Sequence, residues 1–139
     1  MIGKLMFGSI KVPVYLSSFA EFVEAIGEYK KGDLGFYDLD RPSIWIMECD
    51  NSQQMGLILC HEIAHMLHDF SAYPEKMNDE IMARLNERWL YLLLKDNAEE
   101  LKRIFEMIEM RARELQSEKK EKTSRGHNVD EFYPEEEGD

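Results

Sequence analysis

The sequence predicts an α+β domain in which a small three-stranded sheet packs with about three long helices. Three observations predict it. Up to residue 49, short β-branched and aromatic runs alternate with turn residues. From residue 52 to 117, apolar residues recur at helical spacing over long stretches. The chain has 139 residues, enough for one core and too few for two.

The elements follow in order. In "IKVPVYL", Ile10, Val12 and Val14 alternate with Lys11, and Pro13 suggests an edge strand or a strand end. "SSFAEFVEAIGEYKKGD" reads as a short helix. Phe19, Phe22, Val23 and Ile26 share one face, Ser17 or Ser18 caps it, and Gly27 or Gly32 ends it. "LGFYDL" and "SIWIMEC" are two short strands parted by the turn-like "DRP".

"DNSQQ" opens a long helix over about Ser52 to His68, with Asn51 as cap and Gln54 completing a capping-box pattern. It is apolar nearly all round, which predicts burial from several sides. Pro74 stops it. A second long helix begins near Asn78, with Asp79 and Glu80 at its positive end and Ile81, Leu85, Trp89, Leu92 and Leu93 as its apolar residues. "KDN" allows a break. A third carries Leu101, Ile104, Phe105, Ile108, Ala112 and Leu115 on one stripe. The domain thus spans residues 1–117. Residues 118–139, charged and containing Gly and Pro, read as a disordered tail.

Charge and composition exclude several function classes. A net charge of −11 argues against sequence-independent nucleic-acid binding and against docking on anionic membranes. The two cysteines form no zinc cluster or disulfide framework, which suggests a reduced, cytoplasmic setting and a buried, inert Cys60. The N-terminus lacks the apolar core of a signal peptide, and no apolar run reaches the roughly 20 residues of a membrane helix.

The chemistry concentrates in "LILCHEIAHMLHDF". His61 and His65, four apart on a helix, lie on one face about 6 Å apart and can converge on one zinc ion. Glu62, one step round, can reach a water on that ion. Zinc lowers such a water's pKa to roughly 7, and a carboxylate then takes its proton as it attacks a carbonyl. His68 continues the face, but seven residues of straight helix put it about 10 Å from His61 along the axis, beyond a shared zinc with bonds of about 2 Å. A third ligand is therefore expected from the next helix: Glu80 first, then Asp79, then Glu87. Asp69, four after His65, is a candidate to hold that imidazole through a hydrogen bond. Tyr73, just past the helix, is a candidate oxyanion donor. The edge of the "SIWIMEC" strand could pair with an extended peptide.

The stretch "IWIMECDNSQQMGLILCHEIAHMLHDF…NDEIMARLNERWLYLLLKDN" resembles the ImmA/IrrE-like metallopeptidases, and in particular short phage-type members of that zincin-like group. The resemblance covers roughly residues 34–97. It implies a minimal zincin-like fold and intracellular zinc-dependent proteolysis of a protein substrate, in a phage or mobile-element setting. His61 and His65 match the family's metal histidines, Glu62 its catalytic glutamate and Glu80 its acidic third ligand. Ala64 stands where many members have glycine, and "LNERWLYLLLKDN" replaces the family's usual segment after the ligand glutamate. A second reading of the same residues is a non-catalytic, zinc-stabilised protein-binding module.

Overall fold

In the computed structural model, residues 1–27, 32–71 and 79–126 are described. The chain begins with a hairpin of Gly3–Phe7 (β1) and Ile10–Ser17 (β2). Gly8-Ser9 joins them, with Phe7 opposite Ile10 and Gly8 at φ 64°, a conformation that glycine adopts without a Cβ clash. β1 makes the sheet four-stranded where the sequence predicts three. Its signal is the Gly-Ser pair between two alternating runs, which is a hairpin pattern.

Phe19–Ile26 (α1) follows, then Gly35–Asp38 (β3) and Ser43–Met47 (β4). Ser18 caps α1 through a full capping box with Glu21, and Gly27 ends it at φ 74°. The strand order is β1-β2-β4-β3, with β2 and β4 parallel and the other pairs antiparallel. β2 is therefore internal, contrary to the edge position that Pro13 suggests. Pro13 stands one residue before pairing to β4 begins at Val14, where its missing N–H disturbs no β4 bond. β4 is internal too, so the free edge lies on β3 rather than on the "SIWIMEC" strand.

Three long helices complete the fold: Ser52–Ser71 (α2), Asp79–Asp96 (α3) and Ala98–Gly126 (α4). Asn51 Oδ1 accepts the Gln54 N–H at 3.0 Å and starts α2 where the sequence places it. Leu5, Phe7, Val12, Val14, Ile44 and Ile46 form the inner face of the sheet. Met55, Leu59, Ile63, Met66 and Leu67 of α2 pack against them, each burial contributing about 1.5–3 kcal/mol. Phe7, Phe70 and Trp89 meet edge to face or tilted, with ring centroids 5.1–6.3 Å apart, and join β1, α2 and α3. α2 touches β3, β4, α3 and α4, yet one face stays open: Leu57 is 64% exposed. The sheet and two helices thus bury α2 from several sides, as its sequence predicts, and leave one side uncovered. Cys60 lies exposed rather than buried for the same reason.

α4 runs nine residues past Ser117, the end that its apolar stripe predicts. The extension needs no core. Gln116 donates to Asp50 O at 2.7 Å, and Lys119 sits 3.3 Å from the Asp50 carboxylate. One turn earlier, Arg111 holds Glu48 through two hydrogen bonds of 2.9 and 3.0 Å. The remaining residues of the expected tail, 127–139, lie outside the described residues, as does Tyr73. No helix among the described residues is long and apolar enough to cross a membrane.

Asn97, between α3 and α4, is 1% exposed. Its Oδ1 accepts the Met6 N–H at 2.6 Å and its Nδ2 donates to Met6 O at 2.9 Å. One side chain thus pairs with β1 as a neighbouring strand would. Asn97→Ala leaves both groups of Met6 without that partner and is expected to cost about 2–3 kcal/mol, read as a lower urea midpoint at unchanged m.

Candidate metal centre

The buried stripe of α2 decides which of its polar residues face out. With Leu59, Ile63 and Met66 against the sheet, His61, His65 and His68 lie on the open side. The Nε2 atoms of His61 and His65 approach to 3.0 Å, with the rings nearly perpendicular at 84°. That separation serves either a hydrogen bond between neutral rings or two bonds to one ion. Two zinc–nitrogen bonds of about 2.0–2.1 Å at a tetrahedral angle place their nitrogens roughly 3.3 Å apart. The two histidines therefore fit one half of a zinc ligand set.

Glu62 lies between them in sequence but turns inward, to 6% exposure. It packs on the backbone of β3 at Gly35. A Cβ there would overlap Ile58 Cγ2 and stand 3.0 Å from Glu62 Oε1, so glycine is what lets the edge strand come this close. Burial pushes the Glu62 carboxyl above its ordinary value; His65 and His61 offset part of this, and Asp33 adds to it. Glu62 hydrogen-bonds to no described residue, and it opens into a cleft of about 530 Å³ that His61 and His65 also line.

Across the cleft, the buried Tyr37 of β3 donates its O–H to Asp69 Oδ2 at 3.2 Å. Burial first, then the Asp69 and Asp38 carboxylates, push the phenol far up, so it stays protonated. Asp69 thus holds Tyr37 rather than the His65 imidazole that the spacing suggests. Tyr37 and Asp33 are the cleft residues that the sequence reading misses; only the pairing of β3 with β4, and its packing on α2, brings them there. His68 lines the same cleft and is exposed, as His61 and His65 are.

The third expected ligand is placed differently. Glu80 sits in the exposed first turn of α3, and its Oε1 is 3.1 Å from Arg84 Nε. It shares a helix face with Arg84 and Glu87, opposite the Trp89 and Leu93 side that packs inward. Asp79 and Glu87 are exposed as well. Among the described residues, no three His, Cys, Asp or Glu side chains converge as a metal-binding group. The structure brings His61, Glu62 and His65 together and leaves Glu80 apart from them.

No protein-family model, curated protein or solved structure matches the chain. The functional reading therefore rests on these residues and their geometry.

Two outcomes follow for the metal-free protein. A carboxyl whose folded pKa is raised contributes its stability below its ordinary pKa, and that stability is lost as pH rises through the folded value. In chelator at pH 7, Glu62→Gln should therefore raise the melting temperature, and the gap to wild type should close as pH falls toward 4. Gly35→Ala should cost about 1–3 kcal/mol by overpacking, measured by urea unfolding.

Proposed function

We propose that this protein is a zinc-dependent metallopeptidase of the ImmA/IrrE-like, zincin-like type, hydrolysing a peptide bond of an intracellular protein substrate. The observation that carries the reading is the pair of Nε2 atoms 3.0 Å apart beside a nearly buried glutamate, all opening into one cleft. His61 and His65 would hold the ion. When bound, zinc supplies an acidified water and polarises the carbonyl to be attacked.

The chain's own residues do the rest. Glu62 takes the water's proton at its carboxylate and returns it to the departing amine nitrogen. The surrounding apolar packing of α2 keeps the carboxylate in one place. β3 is the sheet edge beside the cleft, and among the described residues no strand pairs with its outer side. An extended substrate can pair its main chain there, which gives recognition tolerant of sequence.

The alternative, a zinc-stabilised binding module, draws on the outer face of α3, where Leu90, Tyr91 and Leu94 are exposed. One variant separates the readings. Glu62→Gln should retain one zinc per chain and lose peptide hydrolysis by about 10²–10⁴-fold, the usual contribution of a general base. His61→Ala and His65→Ala should each weaken zinc binding by more than the 10–100-fold typical of losing a residue that merely supports a ligand, read by competition with a chelating dye. Wild-type protein that holds one zinc per chain yet hydrolyses no more peptide than Glu62→Gln would remove the peptidase reading and leave the binding module.

A further inference from the structure

We infer that the cleft selects a substrate carrying lysine or arginine on one side of the bond to be cut, and that Asp69, held by Tyr37, reads that side chain. The inference rests on the peptidase reading above and adds a specificity to it.

The cleft is asymmetric about the histidine pair. On the His65 side its wall comes from β3 and the turn after it. Tyr37, on the face of β3 that meets α2, supplies an aromatic edge, and Leu39 stands 60% exposed at the rim. Asp69 lies one helical turn beyond His65. The protonated Tyr37 O–H fixes its Oδ2 at 3.2 Å, so the carboxylate is aimed into the cavity instead of swinging in solvent. An apolar and aromatic bed ending in an anchored carboxylate fits a long side chain with methylenes along its stem and a cation at its head. Glu62, more than nine-tenths buried, opens into the same cavity, and Asp33 lines it too. No lysine or arginine among the described residues lines this cavity.

Beyond His61, toward the start of α2, the groove continues into a second cavity of about 430 Å³. There the polar groups are the neutral amides of Asn51, Gln53 and Gln54, beside Leu57 and Ile58. Asp33 stands between the two, lining a smaller cavity with Ile58, His61 and Glu62 as well as the main cleft. The basic preference carried by Asp69 should therefore be stronger on one side of the scissile bond than on the other. The chain's net charge of −11 favours approach of the same kind of substrate.

The test uses the full chain with zinc and a peptide library made by cutting a bacterial proteome after acidic residues, which leaves lysine and arginine inside the peptides. Cleaved bonds are read by mass spectrometry against the Glu62→Gln variant. Lysine and arginine should be enriched more strongly on one side than on the other, on the order of fivefold there, as suits a partly exposed charge pair. Asp69→Asn should bring that enrichment close to the library background, and Asp69→Lys should reverse it toward acidic residues. Asp69→Asn keeps an oxygen to accept the Tyr37 O–H and should hold the wild-type melting profile, whereas Asp69→Lys removes that acceptor and is assayed well below its own melting temperature. Cleavage that depends on Glu62 but shows no basic preference, or one unchanged in both Asp69 variants, overturns this inference alone. Cleavage no greater than in Glu62→Gln overturns the peptidase reading together with it.

Discussion

The packing of one stripe of α2 on the sheet is the constraint from which the site follows. Met55, Leu59, Ile63 and Met66 sit against Val12, Val14, Ile44 and Ile46, and this contact fixes the helix about its own axis. A helix held in that rotation must present His61 and His65 to the open side and turn Glu62 under β3. The glycine at position 35 completes the arrangement, because a larger residue would press on both Ile58 and Glu62. The same contact therefore sets the exposure of the histidines and the desolvation of the glutamate. Desolvation and the two histidines act on Glu62 in opposite directions, and burial is the larger effect.

The two edges of the sheet are treated differently. β1 is covered by side chains from the start of α4. Asn97 pairs with Met6, Glu100 accepts the Lys4 N–H at 3.1 Å, and Arg103 donates to Ile2 O at 2.9 Å. Polar groups that would otherwise invite another strand are thus satisfied within the chain. β3 has β4 on one side and the cleft beside it. An edge kept short, at four residues, limits unwanted pairing while leaving room for a substrate strand. α4 braces the far side: Arg111 grips Glu48 just past β4, so the strand next to β3 is tied to the longest helix.

Much of the fold is legible in the sequence because local rules govern it. The capped start of α2 and the Ser18 cap of α1 are decided by side chains within a few residues of each backbone group they satisfy. β1 and the extension of α4 are less legible. β1 is short and its turn signal is modest, while the last turns of α4 have no apolar stripe and are steadied by Asp50, more than sixty residues away in sequence. The order of the strands was not legible either. Pro13 and the "SIWIMEC" run each suggest an edge when read alone, and only the parallel pairing of β2 with β4 places both inside.

For the site, the sequence by itself determined that His61 and His65 share a helix face with Glu62 one step away, since helical periodicity ties those positions together whatever surrounds them. Tertiary structure alone decided the rest. It buried Glu62, joined Tyr37 to Asp69 in one cleft, and kept the Glu80 face of α3 out of the core and apart from the histidine pair. Those outcomes depend on which stripe of each helix meets the core and on which strand ends the sheet. Both are settled by contacts between residues distant in the chain, and such contacts leave no periodic mark along it.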